Sequence, residues 1–119
     1  MKKILLVLVV VLAAFAASAQ KSASLSAKAL ETGKSSGTFL FVLPSDVTSQ
    51  QIDEVKGYYK DYFSVNFDQA KHEATLVLTA NETMNRRIIL RFLSSIGVRT
   101  VNVDGVDKTL DVFYDTNLK

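Results

Sequence analysis

Hydrophobic positions divide this chain into an apolar leader and a patterned remainder. Ile4 to Ala17 is an unbroken run of 14 apolar residues, preceded by Met1-Lys2-Lys3 and followed by the small pair Ser18-Ala19. After Gln20, short apolar runs alternate with longer segments in which apolar residues recur every three or four positions. This alternation predicts strands and amphipathic helices in one domain, because 119 residues leave room for a single core.

Three segments have the pattern of strands in the first two thirds of the remainder. Thr38–Leu43 is a continuous apolar run between Gly37 and Pro44, which is typical of a strand buried on both faces. In residues 63–67 apolar and polar residues alternate, which indicates a half-buried strand. Ala74–Thr79 is the next strand, and the polar turn between the two predicts a hairpin.

Two helices and a fourth strand complete the pattern. From Thr48 to about Tyr62 the apolar residues recur at spacings of 3, 4 and 3, and Asn81–Ile96 carries a broad apolar stripe. Gly97 predicts the end of this second helix, since glycine favours the left-handed conformation that commonly stops one. Val98–Val103 then reads as a strand, followed by an Asp104-Gly105 turn signal.

The order strand, helix, strand, strand, helix, strand predicts an α+β fold. Two βαβ units with right-handed crossovers form a ferredoxin-like βαββαβ sandwich, with a four-stranded antiparallel sheet and both helices on one face. This domain covers residues 38–119 and ends in an extension, 104–119, that forms a further strand near Leu110–Tyr114 or a tail. Residues 20–37 are rich in Ser, Ala, Lys and Gly and are predicted to be a flexible linker, in which Ala27–Glu31 could form a short helical stretch.

The leader has the three-part pattern of a secretory signal peptide, residues 1–19, so the protein is expected to be exported, periplasmic or extracellular. Its apolar run is too short to span a membrane as a helix, and no stable membrane insertion is expected after cleavage.

The chain has 14 basic and 12 acidic residues, and Lys2 and Lys3 account for the difference. The remainder is neutral, which argues against a nucleic-acid partner. The absence of cysteine excludes thiol catalysis, thiolate metal sites and disulfides.

Residues 39–103 resemble a heavy-metal-associated domain, the small module of copper and mercury carriers. That family places Met-x-Cys-x-x-Cys between its first strand and first helix, with an aliphatic residue four places later. Here Leu43 stands at the Met position, Ser45 and Thr48 stand at the two Cys positions, and Ile52 stands at the aliphatic one. The resemblance implies a retained scaffold without the metal role, because hydroxyl groups are poor ligands for soft metals. No metal or other cofactor is therefore expected.

The polar residues predict no catalytic site. His72 is the only histidine and falls in the predicted hairpin turn, away from any recognisable partner spacing. Arg87 and Arg91 are neighbours on one helix face and could contact a small anion, although a solvated face is the simpler interpretation.

The strand Thr38–Leu43 has apolar residues on both faces, so the side of the sheet without helices should be partly apolar. We assign Phe39 and Phe41, together with Val77, to that open side as interaction residues for a protein partner or a second copy. The alternative is that the C-terminal tail covers this side, through Val106, Leu110, Val112 and Phe113.

The sequence therefore predicts an exported, non-enzymatic binding module that resembles a heavy-metal-associated domain without its metal ligands. One alternative is a secreted protease inhibitor or propeptide-like domain, since subtilisin propeptides share the expected fold and dock through the open sheet face. A second alternative is a metal carrier with a non-thiolate site.

Overall fold

The computed structural model describes residues 21–119, and the predicted signal peptide lies outside them. The strands are β1 (Ser22–Leu25), β2 (Thr38–Val42), β3 (Phe63–Asp68), β4 (Glu73–Leu78), β5 (Thr100–Val103) and β6 (Val106–Thr109). The helices are α1 (Ala27–Ser36), α2 (Ser49–Lys56), α3 (Thr83–Ser95) and α4 (Leu110–Phe113). A 3₁₀ turn, Gly57–Tyr59, follows α2, and a π-helical turn, Tyr114–Leu118, follows α4.

The six strands form one mixed sheet in the order β3-β4-β2-β1-β5-β6. Four neighbouring pairs are antiparallel, and β1 pairs with β5 in parallel. The prediction of a ferredoxin-like, four-stranded antiparallel sheet was wrong. In that fold β5 would pair directly with β2, whereas here β1 lies between them, antiparallel to β2 and parallel to β5.

The linker prediction for residues 20–37 missed β1, the strand that changes the topology, and the short helical stretch expected near Ala27–Glu31 is the first half of the longer helix α1. Ala23 and Leu25 alternate with serines, so one face of β1 is buried although the strand has only four residues. The Ser26 side chain caps α1 by accepting a hydrogen bond from the Ala29 backbone N–H. Gly37 ends α1 in the left-handed conformation, with a φ of 80°.

The helices cover one face of the sheet, which we call the helix face. Leu30 of α1, Ile52 of α2 and the apolar stripe of α3 join the single buried core. Phe113 of α4 packs edge-on against Phe41, with 6.2 Å between the ring centroids. The C-terminal tail therefore packs on the helix face, and no helix of residues 21–119 covers the opposite side of the sheet.

The strand predicted near Leu110–Tyr114 is helical, because Thr109 begins a helix by accepting a hydrogen bond from the Val112 N–H. The preceding hairpin follows the turn signal: Asp104 and Gly105 have φ values of 49° and 89° and connect β5 to β6. Among residues 21–119, no helix combines the length and apolar character needed to cross a bilayer.

Candidate functional site

Phe39 and Phe41 do not lie on the open side of the sheet. Both are completely buried, and their rings, 6.4 Å apart between centroids, face the helices. The prediction inverted the two faces of β2, so these residues are core positions and not interaction residues. The remaining side chains of β2 point to the side of the sheet that no helix of residues 21–119 covers, which we call the open face. They are Thr38, Leu40 and Val42.

Val77 lies on the open face, directly opposite Thr38 and diagonal to Leu40. Leu40, Val42 and Val77 are 40%, 42% and 45% exposed. We call these three side chains the apolar patch. They lie on two central strands, β2 and β4, where the sheet has paired neighbours on both sides.

Polar residues surround the apolar patch on the open face. On one side, the Asn102 amide donates to Asp107 at 3.0 Å, and the Ser22 and Thr100 hydroxyls are hydrogen-bonded to each other. On the other side, Asp68 and Glu73 are directly opposite each other across β3 and β4. The strand residues of this face, all within residues 22–109, include these three carboxylates and no lysine or arginine.

The loop that the family resemblance assigns to metal binding has a structural role at the start of α2. Thr48 forms a capping box with Gln51 at the start of α2, with the Gln51 N–H donating to the Thr48 hydroxyl at 3.2 Å. Ser45 is exposed beside Asp46, which pairs with Lys21 next to β1. The hydrogen bond from Lys21 is the main cause that lowers the pKa of Asp46 below 3.8. Within residues 21–119, no three His, Cys, Asp or Glu side chains are grouped to hold a metal ion.

The two arginines proposed for anion contact are in different surroundings. Arg87 lines a cleft of about 500 Å³ between α3 and the C-terminal turn, with its guanidinium 5.7 Å from the Tyr114 ring centre. Asp111 and Asp115 line the same cleft, so it is not selective for anions. Arg91 does not line it and is exposed. A joint anion site of Arg87 and Arg91 therefore has no support in this geometry.

The neighbouring Arg86 has a structural role that the sequence pattern did not indicate. Its Nε donates to the Leu118 carbonyl at 2.6 Å, and its Nη1 donates to the Asn81 side-chain oxygen at 2.8 Å. Arg86 thus joins the C-terminal turn to α3. His72 lies in the β3–β4 turn with a positive φ of 54°, and its ring packs edge-on against Phe67.

A second surface lies beside the edge strand β3. A groove of about 340 Å³ runs between this strand and the end of α2, lined by Phe63, Ser64 and Val65 on one side and by Lys56, Gly57 and Lys60 on the other. We call it the β3 groove. Sequence periodicity could not indicate it, because its wall depends on how α2 passes into the 3₁₀ turn beside the strand.

Comparison of the chain with family models, curated proteins and solved structures finds no match to any of them.

Proposed function

We propose that this chain is an exported, non-enzymatic binding module that contacts a protein partner through the open face. The observation that carries the proposal is the apolar patch at the centre of a face that no helix within residues 21–119 covers. An exposed apolar cluster with a polar border is the usual composition of a protein interface.

The charge of the open face supports a basic partner. Asp68 and Glu73 are cross-strand neighbours of the same sign, and neither forms a salt bridge with a residue of the described chain. Directly opposed like charges destabilise a sheet, and a cation from outside would relieve the repulsion. A partner with an apolar centre and a basic border fits this face better than a second copy, which would bring further carboxylates to it.

Site-specific photo-crosslinking in the producing cell tests the proposal. A photoreactive phenylalanine analogue replaces Val77 on the open face, and a control variant carries it at Val112, which is equally exposed on α4. We expect an adduct of one discrete mass from position 77 and none of that mass from position 112. In the same background, Leu40→Asp should lower the yield of this adduct about tenfold, because it buries a carboxylate in the interface.

Three outcomes would overturn the proposal. An adduct with twice the mass of the chain would assign the open face to a second copy. Equal adducts from both positions would show that the face has no selectivity, and the absence of any adduct at position 77 would show that it has no partner. An adduct with a protease that the purified chain inhibits would instead favour the inhibitor alternative.

A further inference from the structure

The outer side of β3 has free backbone hydrogen-bonding groups. The Thr79 N–H donates to the Tyr62 carbonyl at 2.9 Å, which makes Phe63 and Leu78 a pair without hydrogen bonds between them. Hydrogen-bonded and non-hydrogen-bonded pairs alternate along an antiparallel ladder, so the N–H and C=O groups of Phe63, Val65 and Phe67 point away from β4. No loop, cap or side-chain hydrogen bond of the described residues involves these groups.

The edge at β3 lacks the usual protection against pairing. Its six residues, Phe-Ser-Val-Asn-Phe-Asp, include no proline and no lysine, and they pair with β4 without a bulge. The opposite edge, β6, is shorter and carries Asp107 and Lys108 at its centre. The Lys108 ammonium is tied to the Asn117 side chain at 2.8 Å, which connects that edge to the C-terminal turn. The β3 edge is therefore the better template for an added strand.

The β3 groove lies along this free edge and has space for side chains. Gly57 belongs to its wall, and a Cβ atom built on Gly57 would have no heavy atom within 4 Å beyond its chain neighbours. The backbone of Gly57 is right-handed helical, with a φ of −63° and a ψ of −28°, so the groove is open here without backbone strain. Tyr58, the next residue, is 78% exposed and is the type of side chain that often anchors an interface.

The charged residues that line the β3 groove are both lysines. The Lys56 ammonium is 2.9 Å from the Asp53 carboxylate, whereas Lys60 forms no salt bridge with any residue of the described chain. An ammonium group beside free strand hydrogen bonds would bind a carboxylate on an added strand.

We propose that β3 accepts an extended peptide segment of a partner protein, which adds a seventh strand and places a carboxylate near Lys60. The carboxylate comes either from an Asp or Glu side chain or from a free C-terminus. This site is separate from the open face, and its partner has the opposite charge to the one proposed there.

Selection from a library of random eight-residue peptides, displayed both internally and with free C-termini, tests this proposal. We expect the peptides selected on the full chain to be rich in β-branched residues and to contain a carboxylate. Peptides selected only in the C-terminal display would show that the carboxylate is a free C-terminus, whereas peptides selected in the internal display would show that it is an Asp or Glu side chain. In amide NMR spectra, a selected peptide should shift Phe63, Val65 and Phe67 more than Ser64 and Asn66, because only the first three have outward N–H groups.

Matched variants locate the peptide. Gly57→Leu fills the groove at a position with space and unstrained backbone, and we expect about tenfold weaker binding or more. Lys60→Glu should weaken acidic peptides and favour basic ones. Val77→Asp, on the open face, should leave peptide binding unchanged, so a failure of this site and a failure of the open-face proposal can be told apart.

The proposal would be overturned if no selected peptide lost affinity in Gly57→Leu, or if the selected peptides showed no preference for carboxylates. A dimer of the chain that Val65→Pro abolishes would assign the edge to a second copy and would also overturn it. Denaturant unfolding of each variant establishes that a loss of binding is not a loss of the fold.

Discussion

Gly33 of α1 lies directly against the aromatic ring of Phe39 in β2. A Cβ atom at position 33 would be 2.5 Å from Cε1 and 2.9 Å from Cγ of that ring, and Phe39 is completely buried. This contact allows α1 to lie close to the sheet in the region that the sequence pattern assigned to a linker. It also fixes which face of β2 belongs to the core.

Gly33→Ala should therefore lower the free energy of unfolding, although alanine favours helices. Overpacking a core costs about 1–3 kcal/mol, against a gain of about 1 kcal/mol from helix propensity. Gly57→Ala is the matched control, because its Cβ enters open space, and it should be neutral or stabilising by up to about 1 kcal/mol. Urea unfolding measures both. If Phe39→Leu failed to reduce the cost of Gly33→Ala in the double variant, the contact would not be its cause.

Periodicity predicted most of the elements but not the topology. The strands β2 to β5 and the helices α2 and α3 have clear spacing in the sequence, and the structure has them at nearly those positions. By contrast, β1 buries only Ala23 and Leu25 between serines, so its signal is weak. The capping serine and the terminal glycine of α1 were present in the sequence, and they are the signals that could have given this helix its full length.

The faces of β2 could not be assigned from its sequence because both sets of side chains are apolar. A period of two separates Phe39 and Phe41 from Leu40 and Val42, but it does not say which set faces the helices. The contact between Gly33 and Phe39 decides this, and it joins two elements whose packing no local pattern reveals. The β3 groove could not be predicted from the sequence for the same reason, because its two walls belong to elements whose packing no local pattern reveals.

Thr48→Ala should destabilise the fold by about 1 kcal/mol, because it removes the acceptor of the capping box at α2. Thr48→Ser should retain most of the stability, since it keeps the hydroxyl. Ser45→Ala, at the other position of the family motif, should change the free energy of unfolding by less than about 0.5 kcal/mol, because this side chain is exposed. Equal effects of Thr48→Ala and Ser45→Ala in urea unfolding would contradict the structural role given to Thr48.

Asn85 is the buried polar residue of the described core and should tolerate substitution poorly. Its amide donates to the Tyr62 carbonyl at 3.0 Å and to the Thr79 hydroxyl at 3.2 Å. Asn85→Ala should cost about 1–3 kcal/mol. Asn85→Asp should cost more at pH 7, because a carboxylate would face the carbonyl oxygen, and its cost should shrink in acid once the carboxyl group is protonated.

Asn66→Asp is the control for Asn85→Asp, because Asn66 is exposed and the substitution introduces the same charge on the sheet surface. Thermal unfolding at several pH values gives the comparison. A pH dependence of Asn85→Asp that matched that of Asn66→Asp would exclude burial of the new carboxylate as the cause.

The ion pair between Lys21 and Asp46 should lower the pKa of Asp46 but contribute little to the free energy of unfolding. Both side chains are about half exposed, and such surface pairs contribute little to folding. Because the pKa of Asp46 is lowered in the folded state, any stabilisation is present above 3.8, the ordinary pKa, and is lost as the pH falls through the folded value.

Lys21→Met should raise the pKa of Asp46 toward 3.8, as measured by NMR titration of its carboxyl carbon. High salt should raise this pKa in the native chain and have less effect in the variant, because ions screen the pair. An unchanged Asp46 titration in Lys21→Met would show that another group lowers the pKa.

Arg86 should hold the C-terminal turn against α3. Its short bond to the Leu118 carbonyl is made by a charged donor, and bonds of this kind contribute about 1.5–3 kcal/mol. Arg86→Lys keeps the charge but loses the planar fork that bonds to Leu118 and Asn81 together. We expect faster hydrogen exchange at the Lys119 amide, which bonds to the Tyr114 carbonyl at 2.8 Å and depends on the intact turn. Arg87→Lys is the control, since the adjacent guanidinium lies 5.7 Å from the Tyr114 ring centre and forms none of the hydrogen bonds that tie Arg86 to Leu118 and Asn81. It should leave this exchange rate nearly unchanged, and equal acceleration by both substitutions would contradict a specific role for Arg86.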